Sequence, residues 1–124
     1  MNWNEIGKNH LLAAQLVRDE CPRSCVSRAY YSAHAVLAQA LTNAGWKDFG
    51  KGRQTPAHDR QQKLIGQHLS LIGPKRVREL KALIWRLYAH RIDADYRRGA
   101  TVDRSIARDS IRDALSVFLL LGIR

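Results

Sequence analysis

A helical stripe that ends in charge constrains this chain more than any other feature. At 100° per residue, Val77, Leu80, Ile84 and Tyr88 share one face, and the same face runs on through Arg91 and Asp95. An apolar face of this period makes the segment an amphipathic helix packed on a core. A guanidinium and a carboxylate prolonging that face need partners or a function, because charge taken out of water is costly alone. The surrounding residues, His90-Arg91-Ile92-Asp93-Ala94-Asp95-Tyr96, are expected to form the polar end of a helical bundle and its functional site.

The same period recurs along the chain. A first helix is expected from about Asn4 to Glu20, with Trp3, Ile6, His10, Ala13, Ala14 and Val17 inward. Pro22 opens a second, which continues to about Asn43 and faces inward through Val26, Tyr30, Ala33, His34, Leu37, Ala40 and Leu41. Gly45 stops it, and a basic loop follows to Pro56. A third, shorter helix is expected over about Ala57 to Leu71, and a fourth from Gly73-Pro74 to about Asp93. Tyr96 to Ala100 make a basic turn. Thr101 or Asp103 then caps a fifth helix to about Leu121, with Ala107, Ile111, Ala114, Leu115, Phe118 and Leu121 inward. No segment alternates with the period of a strand. The expected fold is all-α: one domain over residues 1–124, an antiparallel bundle of four long helices with a shorter fifth.

Charge narrows the partner. Twenty-one Lys and Arg face eleven Asp and Glu, a net charge of +10. Fifteen of the cations are arginine, whose planar fork suits bidentate phosphate binding. RNA, DNA, a nucleotide or an acidic protein surface fits such an excess. The stretch Lys75 to Arg98 alone carries eight cations against three acids. Arg104, Arg108 and Arg112 line one flank of the fifth helix, partly offset by Asp109 and Asp113. The start is polar and acidic, unlike a secretory signal, and the apolar run from Ala114 to Ile123 is too short for a bilayer. A cytoplasmic protein without a membrane partner is expected.

Several motifs are incomplete. Cys21 and Cys25 are spaced by three residues, which makes neither a redox pair nor a zinc set, so no metal or cofactor is expected. Arg23 and Arg28 beside Cys25 would favour a thiolate, but a buried, inert thiol is the expected outcome. Gly45-x4-Gly50-Lys51-Gly52 approaches a phosphate-binding loop but lacks the hydroxyl after the lysine and follows a helix, not a strand. What remains is a basic loop able to touch phosphates or bases through Lys47, Lys51, Arg53, Trp46 and Phe49, or a connection whose aromatics cap the core. On the second helix, Tyr30, Tyr31 and His34 form a polar cluster within an apolar face. If that helix lies antiparallel to the fourth, the cluster meets Arg91 and Asp95, and each anomaly supplies the other's partners.

Two segments together bring a family to view. Arg28-Ala29-Tyr30-Tyr31-Ser32-Ala33-His34-Ala35 on the second helix, with Arg91-Ile92-Asp93-Ala94-Asp95-Tyr96 ending the fourth, resembles the HEPN domain superfamily, in its R-x-x-A-D-Y branch. The resemblance implies a helical bundle that forms a homodimer. It also implies a toxin–antitoxin or defence setting, with RNA, a nucleotide, an antitoxin or a minimal nucleotidyltransferase chain as partner. In the nuclease members an R-x4-6-H motif from each protomer builds a metal-independent ribonuclease site. Here no histidine follows Arg91. The spacing occurs instead at Arg28-x5-His34, within one helix, and at Arg53-x4-His58, across the basic loop. By this likeness Arg91, Asp95 and His34 are the candidate catalytic residues. Tyr30, Tyr31, Tyr96, Arg97, Arg98, Lys51 and Arg53 are the candidate RNA- or nucleotide-binding residues. An arginine without a positioned imidazole binds phosphate but lacks an acid–base partner.

Overall fold

A computed structural model describes residues 2–47 and 56–123. It contains five α-helices and, among the described residues, no strand: α1 (Trp3–Val17), α2 (Pro22–Asn43), α3 (Gln61–His68), α4 (Pro74–Tyr96) and α5 (Arg104–Leu120). The all-α bundle of four long helices and a short fifth is what the periodicity implies. None of the described helices is long and apolar enough to cross a membrane.

α2 is the axis of the molecule. From Ser32 to Ala38 every residue is buried, as in a helix enclosed on all sides. Its small residues allow close neighbours. Gly7 of α1 packs so tightly on it that an added Cβ would lie 2.7 Å from Val36 Cγ1 and 2.9 Å from the Ser32 carbonyl oxygen. Gly7→Ala is therefore expected to cost about 2 kcal/mol, because one of the two contacts is backbone and cannot swing aside. Thermal unfolding of the variant checks this. The close approach also turns α1. Gly7, Leu11 and Ala14 are its buried residues, whereas Trp3, Ile6, His10, Ala13 and Val17 from the expected stripe are only half-buried. A glycine carries no hydrophobic signal, so the stripe seen in sequence was centred to one side of the true one.

Helix ends follow local chemistry. α2 closes at Gly45, φ 93°, with Gly45 N–H bonded to the Thr42 carbonyl and Trp46 N–H to the Leu41 carbonyl. That turn folds Trp46 into the core. Asp103 caps α5 by accepting from Ile106 N–H at 3.0 Å. α3 is shorter than expected, eight residues between the 3-10 turns His58–Arg60 and Ser70–Ile72. The first of these turns has a reason. In a 3-10 helix residues three apart eclipse, and His58 and Gln61 both reach the hydroxyl of Tyr30.

α4 and α2 are antiparallel: Tyr31 meets Arg91 and, one turn along, Ser27 meets Asp95. α5 is held to α4 by a forked pair, Arg86 Nε and Nη2 to the two oxygens of Asp113, each at 3.1 Å. Asp113 is thus buried, while Leu115, expected inward, is 41% exposed. α5 turned toward Arg86 to satisfy a carboxylate rather than to cover one leucine.

Candidate functional site

Arg91 occupies the place the stripe assigns to it. The buried row of α4 is Leu80, Leu83, Ile84, Leu87, Arg91 and Ala94. Only 9% of Arg91 is exposed, and its partners come from two helices. Nη2 donates to the Tyr31 hydroxyl at 2.6 Å and to the Tyr96 hydroxyl at 3.2 Å. The guanidinium carbon lies 5.0 Å from the Tyr96 ring centroid, 5.3 Å from Tyr31 and 5.9 Å from Tyr30. Nε sits 3.0 Å from Asp95 Oδ2, but its N–H does not point at that oxygen, so the pair is one of charge rather than an aligned hydrogen bond. Nη1 forms no hydrogen bond with any described residue and keeps its donors available. Burial disfavours the charged form of Arg91, but the phenols of Tyr31 and Tyr96 and the Asp95 carboxylate outweigh it, so its pKa is raised.

Asp95 departs from expectation in one respect. It does not continue the buried row; Ala94 does. The Asp95 side chain is 29% exposed and Oδ2 also accepts from Ser27 Oγ at 3.1 Å. A helix of 3.6 residues per turn drifts from the core line after Arg91, leaving the carboxylate at the rim.

Beneath Arg91 lies a network with defined hydrogen-bond roles. Gln61 Nε2 donates to the His58 carbonyl at 3.3 Å and to the Tyr30 hydroxyl at 2.8 Å. The carbonyl can only accept, which fixes the amide orientation. Gln61 Oε1 therefore faces His34, and His34 Nδ1–H donates to it at 3.0 Å. The Tyr30 oxygen accepts from Gln61, so its own proton points to His58 Nδ1, a close contact. The His34 and His58 rings are 4.8 Å apart. Tyr31 stands at the centre of the site, with ring centroids of His10, His58 and His34 at 6.2, 6.2 and 6.3 Å. A cavity of about 210 Å³ opens here, lined by Trp3, Ile6, His10, Tyr31, His34 and His58, among others.

Burial governs the charges. It pulls the His34 pKa down to about 4, against a partial rise from the Gln61 hydrogen bond and further lowering by His58 and Arg91. His10 is lowered by burial and by Arg28, which donates to its Nδ1 at 3.3 Å. Burial raises the Tyr30 hydroxyl. It also pushes Cys25 up to about 11, so this cysteine is the buried, inert thiol that was the commoner expectation, and the neighbouring arginines do not make it a thiolate. His34 carries a pH prediction. Its folded pKa lies below the ordinary 6.5, so the unfolded chain binds the proton more readily, and stability falls as pH drops from 6.5 towards 4. At pH 4.5 the loss from this group is expected to be about 2.5 kcal/mol. His34→Asn keeps a donor toward Gln61 without the titration, and denaturation midpoints across pH should show a flatter acid limb for it than for the parent chain.

The remaining predicted residues are scattered. Tyr30, Tyr31, His34 and Tyr96 join Arg91. Arg97 lies outside the cluster, exposed and 3.6 Å from Asp93, and Arg98 is exposed as well. Neither reaches the phenols, because the chain leaves the helix at Arg97 with an extended backbone. Lys51 and Arg53, with Phe49, lie outside the described residues; Lys47 is exposed. Among the described residues no group of three or more metal-ligating side chains forms.

Sequence reasoning missed four contributors. Gln61 was legible by the logic that found Arg91, since it precedes Leu64 and Ile65 on one apolar face. His10 stood on the inward stripe of the first helix and His58 in the Arg53-x4-His58 spacing, but neither pattern pointed to Tyr31 or Tyr30. Arg23 is the largest omission. Its Nη1 donates to the carbonyls of Asp93, Ala94 and Arg97 at 3.0, 3.1 and 3.1 Å, and its Nη2 to those of Arg98 and Ala100 at 3.3 and 2.7 Å. A side chain from α2 thus caps α4 from outside and extends it to Tyr96, three residues beyond the expected end.

Fold and site together define an all-α bundle with an arginine–phenol–imidazole cluster at one end. No family model, no curated protein and no solved structure matches this chain.

Proposed function

We propose that this chain is a HEPN-like helical domain that dimerises and binds RNA or a nucleotide through the Arg91 end of the bundle, in a toxin–antitoxin or defence setting. One observation carries the binding part. A guanidinium is held at the end of a buried row, oriented by two phenolic hydroxyls and a carboxylate, with one amino group uncommitted. Such an arrangement presents a fixed cation to a phosphate without the entropy of ordering a long side chain. The net charge of +10 supports a polyanionic ligand. For the second copy, Leu12, Leu16, Leu115 and Leu119 are exposed on α1 and α5 and leave an apolar surface to cover.

The test is retention of single-stranded RNA in chelator over a salt series. Affinity should fall steeply with salt and drop at least tenfold in Arg91→Ala. Unchanged retention in that variant would sink the reading.

A second reading, a metal-independent ribonuclease, gains support from the imidazoles around Tyr31. His34 has a depressed pKa and is neutral at pH 7, and His58 accepts the Tyr30 proton within the same cluster. Proton transfer needs an imidazole in reach of the phosphate that Arg91 would hold. RNA cleavage in chelator, lost in both Arg91→Ala and His58→Asn, would select this reading over binding alone.

A further inference from the structure

Trp85 belongs to none of the networks above. It stands on α4 at 60% exposure, one turn before Tyr88, with ring centroids 6.3 Å apart and planes inclined by 36°. Tyr88 leads inward, to His58 at 5.8 Å and Tyr30 at 5.7 Å. The two rings separate a pair of clefts. One, of about 240 Å³, has His58, Asp59, Gln61 and Gln62 on its wall; the other, of about 390 Å³, has Ala89, Ile92, Asp93 and Arg97. Trp85 and Tyr88 line both.

An exposed indole costs free energy in water, and the net charge of +10 on the chain as a whole favours an anionic partner over an apolar surface. Bases of a single strand have free faces, whereas a duplex hides them in its own stack. Aromatic side chains beside cations are the means by which proteins hold such strands. The exposed leucines that a second copy would cover lie on other helices, α1 and α5.

We propose that Trp85 and Tyr88 form a stacking platform for the bases of single-stranded RNA, running alongside the phosphate contact made by Arg91. The inference rests on the anion-binding reading of Arg91 and deepens it by naming the strand type. Bases enter the clefts on either side of the indole, and the exposed Arg97 guanidinium, 3.6 Å from Asp93, meets the backbone at the rim of the second.

The experiment compares a short oligoadenylate with an abasic oligomer carrying the same number of phosphates. The readouts are affinity and tryptophan fluorescence on the full chain. The oligoadenylate is expected to bind about tenfold more tightly and to quench the indole. Trp85→Ala should abolish both the preference and the quench, while Trp85→Phe should keep most of the preference. Equal affinity for the two oligomers overturns the platform and leaves the Arg91 reading standing. Binding of neither oligomer overturns both. Quenching that appears on raising protein concentration alone means that a second copy covers Trp85, and overturns the platform. Preference for duplex over single strand does the same.

Discussion

Arg91→Ala is expected to lower stability by about 4 kcal/mol as well as to weaken RNA binding. The side chain makes two hydrogen bonds to phenols, one ion pair and three ring contacts, and a charge-assisted hydrogen bond alone contributes about 1.5–3 kcal/mol. These terms share one guanidinium and do not add fully. The half-open Asp95 is not stranded by the loss, since water reaches it, so the penalty stays below that of breaking an enclosed ion pair. Denaturant titration measures the change. Arg91→Lys separates fold from function: it keeps a charge but lacks the fork that spans Tyr31, Tyr96 and Asp95. The lysine variant should recover about half of the lost stability and little of the lost affinity. An alanine variant within about 1 kcal/mol of the parent would show that the cluster contributes little to the fold.

Arg23→Met should cost about 3 kcal/mol, although nothing in its neighbourhood on the chain marks it. Five carbonyls at the end of α4 and in the following turn converge on its two amino groups. Methionine keeps much of the stem's packing and removes the donors. The last turn of α4, with the negative end of its dipole uncompensated, should then fray. Amide exchange in residues 93–97 is the direct measure, and it should rise by more than the global destabilisation explains. Because Asp95 and Tyr96 sit in that turn, RNA affinity should fall too, without any contact between Arg23 and the ligand. Local exchange unchanged in this variant would mean that α4 holds its end unaided.

The bundle itself was legible from the chain. Period, glycine stops and proline starts place four long helices correctly, to within three residues at most ends. The exceptions are instructive. α3 is shorter than the period implies, at its start because that turn is tightened by Tyr30, a residue 28 positions away from His58. The buried face of α1 lies to one side of its apolar stripe because a close contact is made by Gly7, which has no side chain to announce it. Arg91 was legible because a charge on an apolar face is locally anomalous. Arg23 was not, since its local pattern is unremarkable; His10 and His58 stood in readable patterns, an inward stripe and an Arg53-x4-His58 spacing, but which groups they meet depends on distant helices.

What the order of residues determined alone is therefore everything governed by near neighbours: helix type, the caps at Gly45 and Asp103, the inward place of Arg91 and His34, and the excess of positive charge. Tertiary structure decided which groups share the guanidinium and which way each proton points. It placed Asp95 at the rim and Ala94 in the core, drew His58 and Gln61 onto one hydroxyl, and let Arg23 finish a helix 70 residues distant from it. The division has a physical cause. Backbone period and capping depend on bonds within one turn, whereas satisfying a buried polar atom depends on whichever donor or acceptor the packed helices bring within about 3 Å.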